Sequence, residues 1–148
     1  MSYSITINHR VEFYETDMAG IVHFSNYFRW MESAETELFH RLEIPIAKRE
    51  GSIITGWPKV ETSCNFIAPL RFQDEIEITL TIKEIKNHSL CYHFHFYKIE
   101  NQTKTEVAKG TMTTVFAKFN ILENIISASL IEDDLRIKIQ QNSELTNF

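Results

Sequence analysis

The sequence is poor in the features that mark whole classes of protein. Its 148 residues include two cysteines, Cys64 and Cys91, which lie far apart and form neither a CxxC pair nor a zinc-type pattern. That excludes a disulfide framework and suits a reducing cytoplasm, the expected location. No apolar run approaches the roughly 18 residues that a membrane-spanning helix needs. The start, MSYSITINHR, alternates at once and lacks the basic region and apolar run of a secretory signal. Positive charge is also scarce. Fifteen Lys and Arg against 20 Asp and Glu leave a net charge of −5, which argues against a basic nucleic-acid-binding face. No internal repeat and no linker interrupts the chain, so residues 1–148 read as one domain, with a core over about 3–118 and a tail over 119–148. At 43% apolar and 24% charged, such a chain buries a core without staples.

What is present is a change of period. Over residues 4–14, Ile5, Ile7, Val11 and Phe13 alternate with Thr6, Asn8, Arg10 and Glu12, the pattern of a half-buried strand. From Asn26 onward, Tyr27, Trp30, Met31, Ala34, Leu38 and Leu42 recur at steps of three and four, with Phe28 and Phe39 widening the apolar arc. Ser25 is the expected N-cap, and Pro45 lies just past the helix end. Four further strands are expected over 59–67, 75–85, 89–99 and 105–118, with turns at Asn87-His88 and Asn101-Gln102. Gly110 marks a bulge or a close approach. In the tail, residues 130–139 fit a short helix, and the last residues are expected to fray. A helix of about 16 residues is about 24 Å long and can be covered by a curved antiparallel sheet. The expected fold is therefore α+β, the hotdog layout: a long central helix wrapped by a curved five-stranded antiparallel sheet. Open sheet edges make edge-paired dimerisation the usual remedy.

One stretch, EFYETDMAGIVHFSNYFRWMESA, joins strand to helix and sets an acid, Asp17, ahead of Ala19-Gly20-Ile21-Val22 and Asn26-Tyr27. It resembles the signature of the 4-hydroxybenzoyl-CoA thioesterase family of hotdog enzymes, which includes the YbgC-type acyl-CoA thioesterases. The strand order fits over roughly 3–118. The resemblance implies an acyl-CoA thioester hydrolase with Asp17 as the catalytic carboxylate and the backbone N–H near Phe24 as the oxyanion donor. It implies Gly20, His23, Asn26, Tyr27 and Glu32 in the substrate pocket. The resemblance also implies that Lys86, Asn87, His88 and Ser89 form a turn with basic or polar contacts to the nucleotide end of coenzyme A, and Lys109 and Lys118 on the last strand are further candidates. The implied partners are an acyl-CoA, or an acyl carrier protein, and further copies of the chain in a homodimer or homotetramer. Neither a metal nor a bound cofactor is expected, coenzyme A being part of the substrate. Physical chemistry supports the same reading, since a helix N-terminus offers free N–H groups and a positive dipole end to a thioester oxygen. Gly20 permits the tight turn that lets Asp17 approach the acyl group and attack it, or deprotonate a water.

Other readings stand beside this one. An isolated Asp in a turn caps local backbone N–H groups. Glu32 or Glu35 on the helix is an alternative base, although Glu35 also fits pairing with an Arg or Lys at the helix edge. His93 and His95 share a strand face with Cys91, an i, i+2 spacing open to a metal but equally to an ordinary strand surface. Cys64 has no His or Asn tied to it by any motif and reads as a small core residue. EGSIITG, residues 50–56, is not the G-x-S-x-G nucleophile elbow. A hotdog acyl-CoA hydratase and a non-catalytic acyl-binding protein remain as functional alternatives, the latter having no need of a carboxylate beside the carbonyl.

Overall fold

Burying the broad apolar arc of the helix requires a sheet wide enough to wrap it. In the computed structural model, which describes residues 3–145 and side chains as far as Ser143, that helix is α1 (Ser25–Arg41). The first strands in chain order are β1 (Tyr3–Arg10), β2 (Lys48–Glu50), β3 (Ile53–Gly56), β4 (Lys59–Phe66) and β5 (Glu75–Ile85). They are followed by β6 (Ser89–Glu100), β7 (Thr103–Val115), β8 (Ala117–Asn120) and β9 (Ile125–Ala128), and the chain closes with helix α2 (Asp133–Leu145). The main sheet runs β1-β5-β6-β7-β4, antiparallel throughout, which is the hotdog arrangement. Alternation dictates its inner face: Ile76, Ile78, Leu80 and Ile82 on β5 and Tyr92, Phe94 and Phe96 on β6 are all buried against Tyr27, Trp30, Met31, Ala34 and Leu38 of α1. The β6–β7 hairpin turns through Asn101 and Gln102, both at positive φ, as a two-residue loop of this kind demands.

The paired register shows why Gly110 is a glycine. Ile5, Leu80, Phe94, Gly110 and Cys64 form one row across all five strands. A Cβ at Gly110 would lie 2.5 Å from Met31 Cε and 2.5 Å from the Ser63 carbonyl oxygen. The position is a close approach of helix and neighbouring strand. The bulge in β7 falls a few residues earlier, between the partners of Phe96 and Tyr97.

Several expectations are corrected. The first strand stops at Arg10, and a single 3₁₀ turn over Phe13–Glu15 reverses the alternation. Phe13, expected inward, is therefore 74% exposed. Ser25 is not the N-cap: Phe24 already has helical dihedrals, so Ser25 lies inside the helix and its hydroxyl bonds His23 Nδ1. The strand expected over 105–118 breaks at Phe116, whose ring turns in to pack on Trp57. Beyond that break, β8 and β9 join β2 and β3 in a second sheet of order β2-β3-β8-β9, which the sequence reading lacked. The tail helix starts three residues later than expected, at Asp133, and buries Leu135 and Ile139 together with Ile131 just before it. The fraying expected at the C-terminus concerns residues 146–148, which lie outside the described residues.

Glu35 is not paired at the helix edge. It is fully buried on the apolar arc, where its carboxylate accepts from Lys59 Nζ of β4. Lys59 also donates to the Trp57 carbonyl at 2.8 Å. Burial pushes the Glu35 carboxyl above its usual range, against the opposing pull of Lys59. The adjacent Tyr92 phenol is raised well above its ordinary value by burial and by Glu35, although the two groups are not aligned as a hydrogen bond.

The Gly110 contacts lead to a direct test. Because one of the two is a strand carbonyl that cannot swing aside, Gly110→Ala should lower unfolding stability by about 1–3 kcal/mol in urea titration. An unchanged midpoint would mean that α1 and β4 yield without loss.

Candidate active site

The turn that carries Asp17 is built by backbone bonds at both ends. The Asp17 N–H donates to the Ile21 carbonyl at 2.9 Å, and the Gly20 N–H donates to the Asp17 carbonyl at 2.9 Å. Gly20 has φ +76°, a conformation that side chains with a Cβ rarely adopt. Asp17 itself is exposed, and its two carboxylate oxygens have different duties. Oδ1 accepts from the Ala19 N–H at 2.8 Å, the local capping expected of a turn Asp. Oδ2 accepts no hydrogen bond among the described residues. The capping role therefore leaves one oxygen free for chemistry.

Asp17 lines an open depression of about 530 Å³ with Ile21, Phe24, Tyr27, Phe66, Ile67 and Pro69. Its floor is aromatic. Tyr27 is buried, packing edge-on against Phe66 at 4.9 Å and Phe96 at 5.4 Å. Burial pushes its phenol up to about 12, so it stays protonated across the physiological range. The start of α1 borders the same depression. The Asn26 and Tyr27 N–H groups are taken by the His23 and Phe24 carbonyls, and the Ser25 N–H by His23 Nδ1 at 3.3 Å. The Phe24 N–H has no acceptor among the described residues. An unpaired donor at the positive end of a helix dipole favours an oxygen that gains negative charge.

The remaining residues singled out in the sequence divide into two groups. Gly20, His23, Asn26 and Tyr27 all belong to this turn and helix start. Glu32 does not: it stands on an exposed face of α1 with Arg29, Ser33 and Thr36, around a separate depression. Lys86, Asn87, His88 and Ser89 form the β5–β6 turn, closed by the Lys86 N–H on the Ser89 carbonyl at 2.8 Å. In the register, Phe66 sits level with Ala108 and Phe96, seven residues along β6 from Ser89. The turn therefore lies about 23 Å along the sheet from the Asp17 end of the same chain. Lys118 is exposed on β8 of the second sheet, and Lys109 is exposed on β7 across from His95. His95 Nδ1 lies 3.5 Å from a Glu106 oxygen, and among the described residues no three His, Cys, Asp or Glu side chains gather closely enough to hold a metal.

The residue that sequence reading missed is Glu15. Its side chain is buried, and its carboxylate accepts from Trp30 Nε1 at 2.6 Å and from the Glu12 N–H at 2.7 Å, with His9 Nε2 at 2.8 Å. The only trace in the sequence is that Glu15 stands three residues after Glu12, a capping-box spacing for the 3₁₀ turn.

Comparison with known proteins places this geometry among relatives. The family model described as the thioesterase-like superfamily matches residues 11–137. The 4-hydroxybenzoyl-CoA thioesterase of Pseudomonas sp. (strain CBS-3) is 35% identical over 92 residues, which cover 60% of this chain and 64% of that protein, just under two thirds of its length. The 1,4-dihydroxy-2-naphthoyl-CoA hydrolase of Prochlorococcus marinus (strain NATL1A) is 30% identical over 108 residues, covering 68% of this chain and 72% of the other. The solved structure of a gentisyl-coenzyme A thioesterase superposes with a TM-score of 0.74 at 32% identity, over 89% of this chain and 99% of that one. The crystallised Pseudomonas 4-hydroxybenzoyl-CoA thioesterase gives 0.79 at 25% identity, over 92% and 99%.

Cys64, half-buried beside Tyr27 on the inner face of β4, has its thiol pushed up to about 11 by burial. A thiolate is then scarce at neutral pH, which removes Cys64 as a nucleophile. In a Cys91→Ser background, alkylation of Cys64 by iodoacetamide should accelerate up to about pH 11. A plateau near the free-thiol value of about 8.5 would contradict this.

Proposed function

The chain belongs to the thioesterase-like superfamily, and we propose that it hydrolyses an acyl-coenzyme A to the free acid and coenzyme A, using Asp17. The observation that carries this reading is the pairing of a free carboxylate oxygen with an unpaired helix-start N–H around one depression. A thioester carbonyl docked there points its oxygen at the Phe24 N–H, which stabilises the negative charge of the tetrahedral intermediate. Asp17 Oδ2 then has two routes. It attacks the carbonyl carbon, expelling coenzyme A thiolate and leaving a mixed anhydride that water hydrolyses, or it takes the proton of a water that attacks instead. Tyr27, Phe66 and Phe24 supply apolar walls for the acyl group. The named relatives act on aromatic acyl-CoAs, and these aromatic walls suit such a group. A thioester carried by an acyl carrier protein presents the same reacting atoms.

A second copy of the chain completes the site. β4 is an edge of the main sheet and is exposed along nearly its whole length, an edge left open to pairing. Lys59 at its start is level with Thr114 and Leu90, next to the 86–89 turn, whereas Phe66 at its end borders the Asp17 depression. Antiparallel pairing of β4 with β4 of a second copy brings that copy's 86–89 turn to this depression. Lys86, His88 and Ser89, remote within one chain, then meet the nucleotide end of a coenzyme A whose acyl group lies beside Asp17.

Two measurements test the reading. The protein should release free thiol from a panel of aromatic, short-chain and long-chain acyl-CoAs, and Asp17→Asn should lower kcat by about 10²–10⁴-fold, the usual worth of a general base. The amide keeps an oxygen for the Ala19 N–H, so binding of a non-hydrolysable acyl-CoA and the melting temperature should hold, while Glu32→Gln should stay near parental turnover. Near-normal turnover of Asp17→Asn with loss in Glu32→Gln would move the base to the helix. A parent that hydrolyses no thioester, yet binds acyl-CoA or hydrates an enoyl-CoA, would replace the reading with the corresponding alternative. For assembly, sedimentation at micromolar concentration should show a multiple of the 17.4 kDa chain. A monomer alone would refute the shared site.

A further inference from the structure

Glu15 lies two residues ahead of Asp17 and is only 4% exposed, yet it carries a carboxylate into the protein. A buried carboxylate is costly unless its hydrogen-bonding capacity is met. Here both ends of the residue are engaged. The carboxylate holds Trp30 of α1, His9 of β1 and the Glu12 N–H at the start of the 3₁₀ turn. The carbonyl holds the Asn26 side-chain amide at 2.8 Å and the His23 N–H at 2.9 Å. His23 and Asn26 flank Phe24, so the two bonds to one carbonyl fix the peptide that presents the Phe24 N–H. The bridge between Thr16 and Val22 closes the same loop around Asp17.

We propose that Glu15 is a positioning residue for thioester hydrolysis, clamping the Asp17 loop and the Phe24 N–H to one anchor on Trp30. The proposal rests on the assignment of Asp17 and Phe24 above. It also explains why the anchor is an acid. Trp30 Nε1 and the Glu12 N–H can only donate, and they meet different oxygens of the carboxylate. An amide of the same shape must turn its NH₂ toward one of them, donor against donor. Aspartate is one methylene shorter and cannot span from the loop to the indole with its carbonyl still on His23 and Asn26.

The test uses the full-length protein and steady-state hydrolysis of the acyl-CoA that the panel selects. Glu15→Gln should lower kcat by about 10- to 100-fold, the scale of a small misplacement of reacting groups, while KM and binding of the non-hydrolysable analogue stay within about two-fold. In a Trp30→Phe background the opposing donor is gone and the amide fits. There, Glu15→Gln should cost less than about three-fold in kcat with KM unchanged, whereas a merely structural contact would show its coupling in melting temperature and leave the kcat of the folded protein alone. Should Glu15→Gln alone not fold, the double variant compared with Trp30→Phe carries the measurement. Full activity of Glu15→Gln, or a loss undiminished by Trp30→Phe, overturns the positioning role. Asp17→Asn assayed alongside separates the two ideas: if it is inactive while Glu15→Gln is fully active, only the positioning role fails, and if Asp17→Asn is active, both fail.

Discussion

The packing of α1 against the inner face of the five-stranded sheet is the constraint from which the rest of the structure follows. Met31, Ala34 and Leu38 are fully buried on one side of the helix, and Ile78, Leu80, Phe94 and Phe96 meet them from the sheet. At about 25 cal/mol per Å² of apolar surface, such an interface dominates the favourable free energy of a chain this size. Its geometry also decides where the helix begins. The first turn of α1 emerges at the Phe66 end of β4, so the unpaired N–H of a helix start stands at the rim of the core. The same packing that stabilises the core places an unpaired helix-start N–H beside the Asp17 depression.

Among the described residues, two acids are buried in that packing, Glu35 and Glu15, and each is held by donors from other elements. Glu35 meets Lys59 across the helix–strand gap, and Glu15 meets Trp30 and His9 between helix, loop and first strand. Replacing a buried ion pair with apolar groups of the same shape is often neutral or stabilising, so the Glu35–Lys59 pair is not explained by stability alone. What both supply is a directional bond between elements that otherwise meet through apolar contact. Lys59 ties the exposed edge strand β4 to α1, and Glu15 ties the Asp17 loop to α1 and β1. In each case an arrangement depends on a directional bond that a purely hydrophobic interface lacks.

The exposed surface complements this. Phe13, Tyr14, Met18, Phe24, Phe66, Ile67 and Phe72 are all substantially exposed, and they belong to or adjoin the elements that build the Asp17 depression. Phe13 and Phe72 pack edge to face at 5.7 Å, and Phe24, Phe66 and Ile67 line the depression itself, a concentration of exposed apolar groups that suits a binding surface. Phe66 lies both on the exposed β4 edge and in the lining of the Asp17 depression, so the two features meet in one uncovered area.

Periodicity by itself determined the central elements, because alternation and helical spacing record which side chains must leave water. Strand β5 falls at residues 75–85 as read from the sequence, Tyr92, Phe94 and Phe96 face inward as their spacing requires, and every apolar position read along α1 from Tyr27 to Leu42 is buried, with Phe28 only partly so. The acid-and-glycine turn was equally legible, since Gly20 has the positive φ that its place after Asp17 implied. Only the tertiary structure decided the rest. The strands of the second sheet are three or four residues long, β9 is exposed throughout, and so they carry no clear period. Glu15 and Glu35 read as polar because burial of a charge depends on donors that arrive from distant segments: Lys59 is 24 residues from Glu35, and Trp30 is 15 from Glu15. The role of the Asp17 carboxylate is divided oxygen by oxygen, one on Ala19 and one free, a distinction that spacing along a chain does not encode. Local pattern reports transfer from water residue by residue, whereas the pairing of buried polar atoms is a property of the assembled fold.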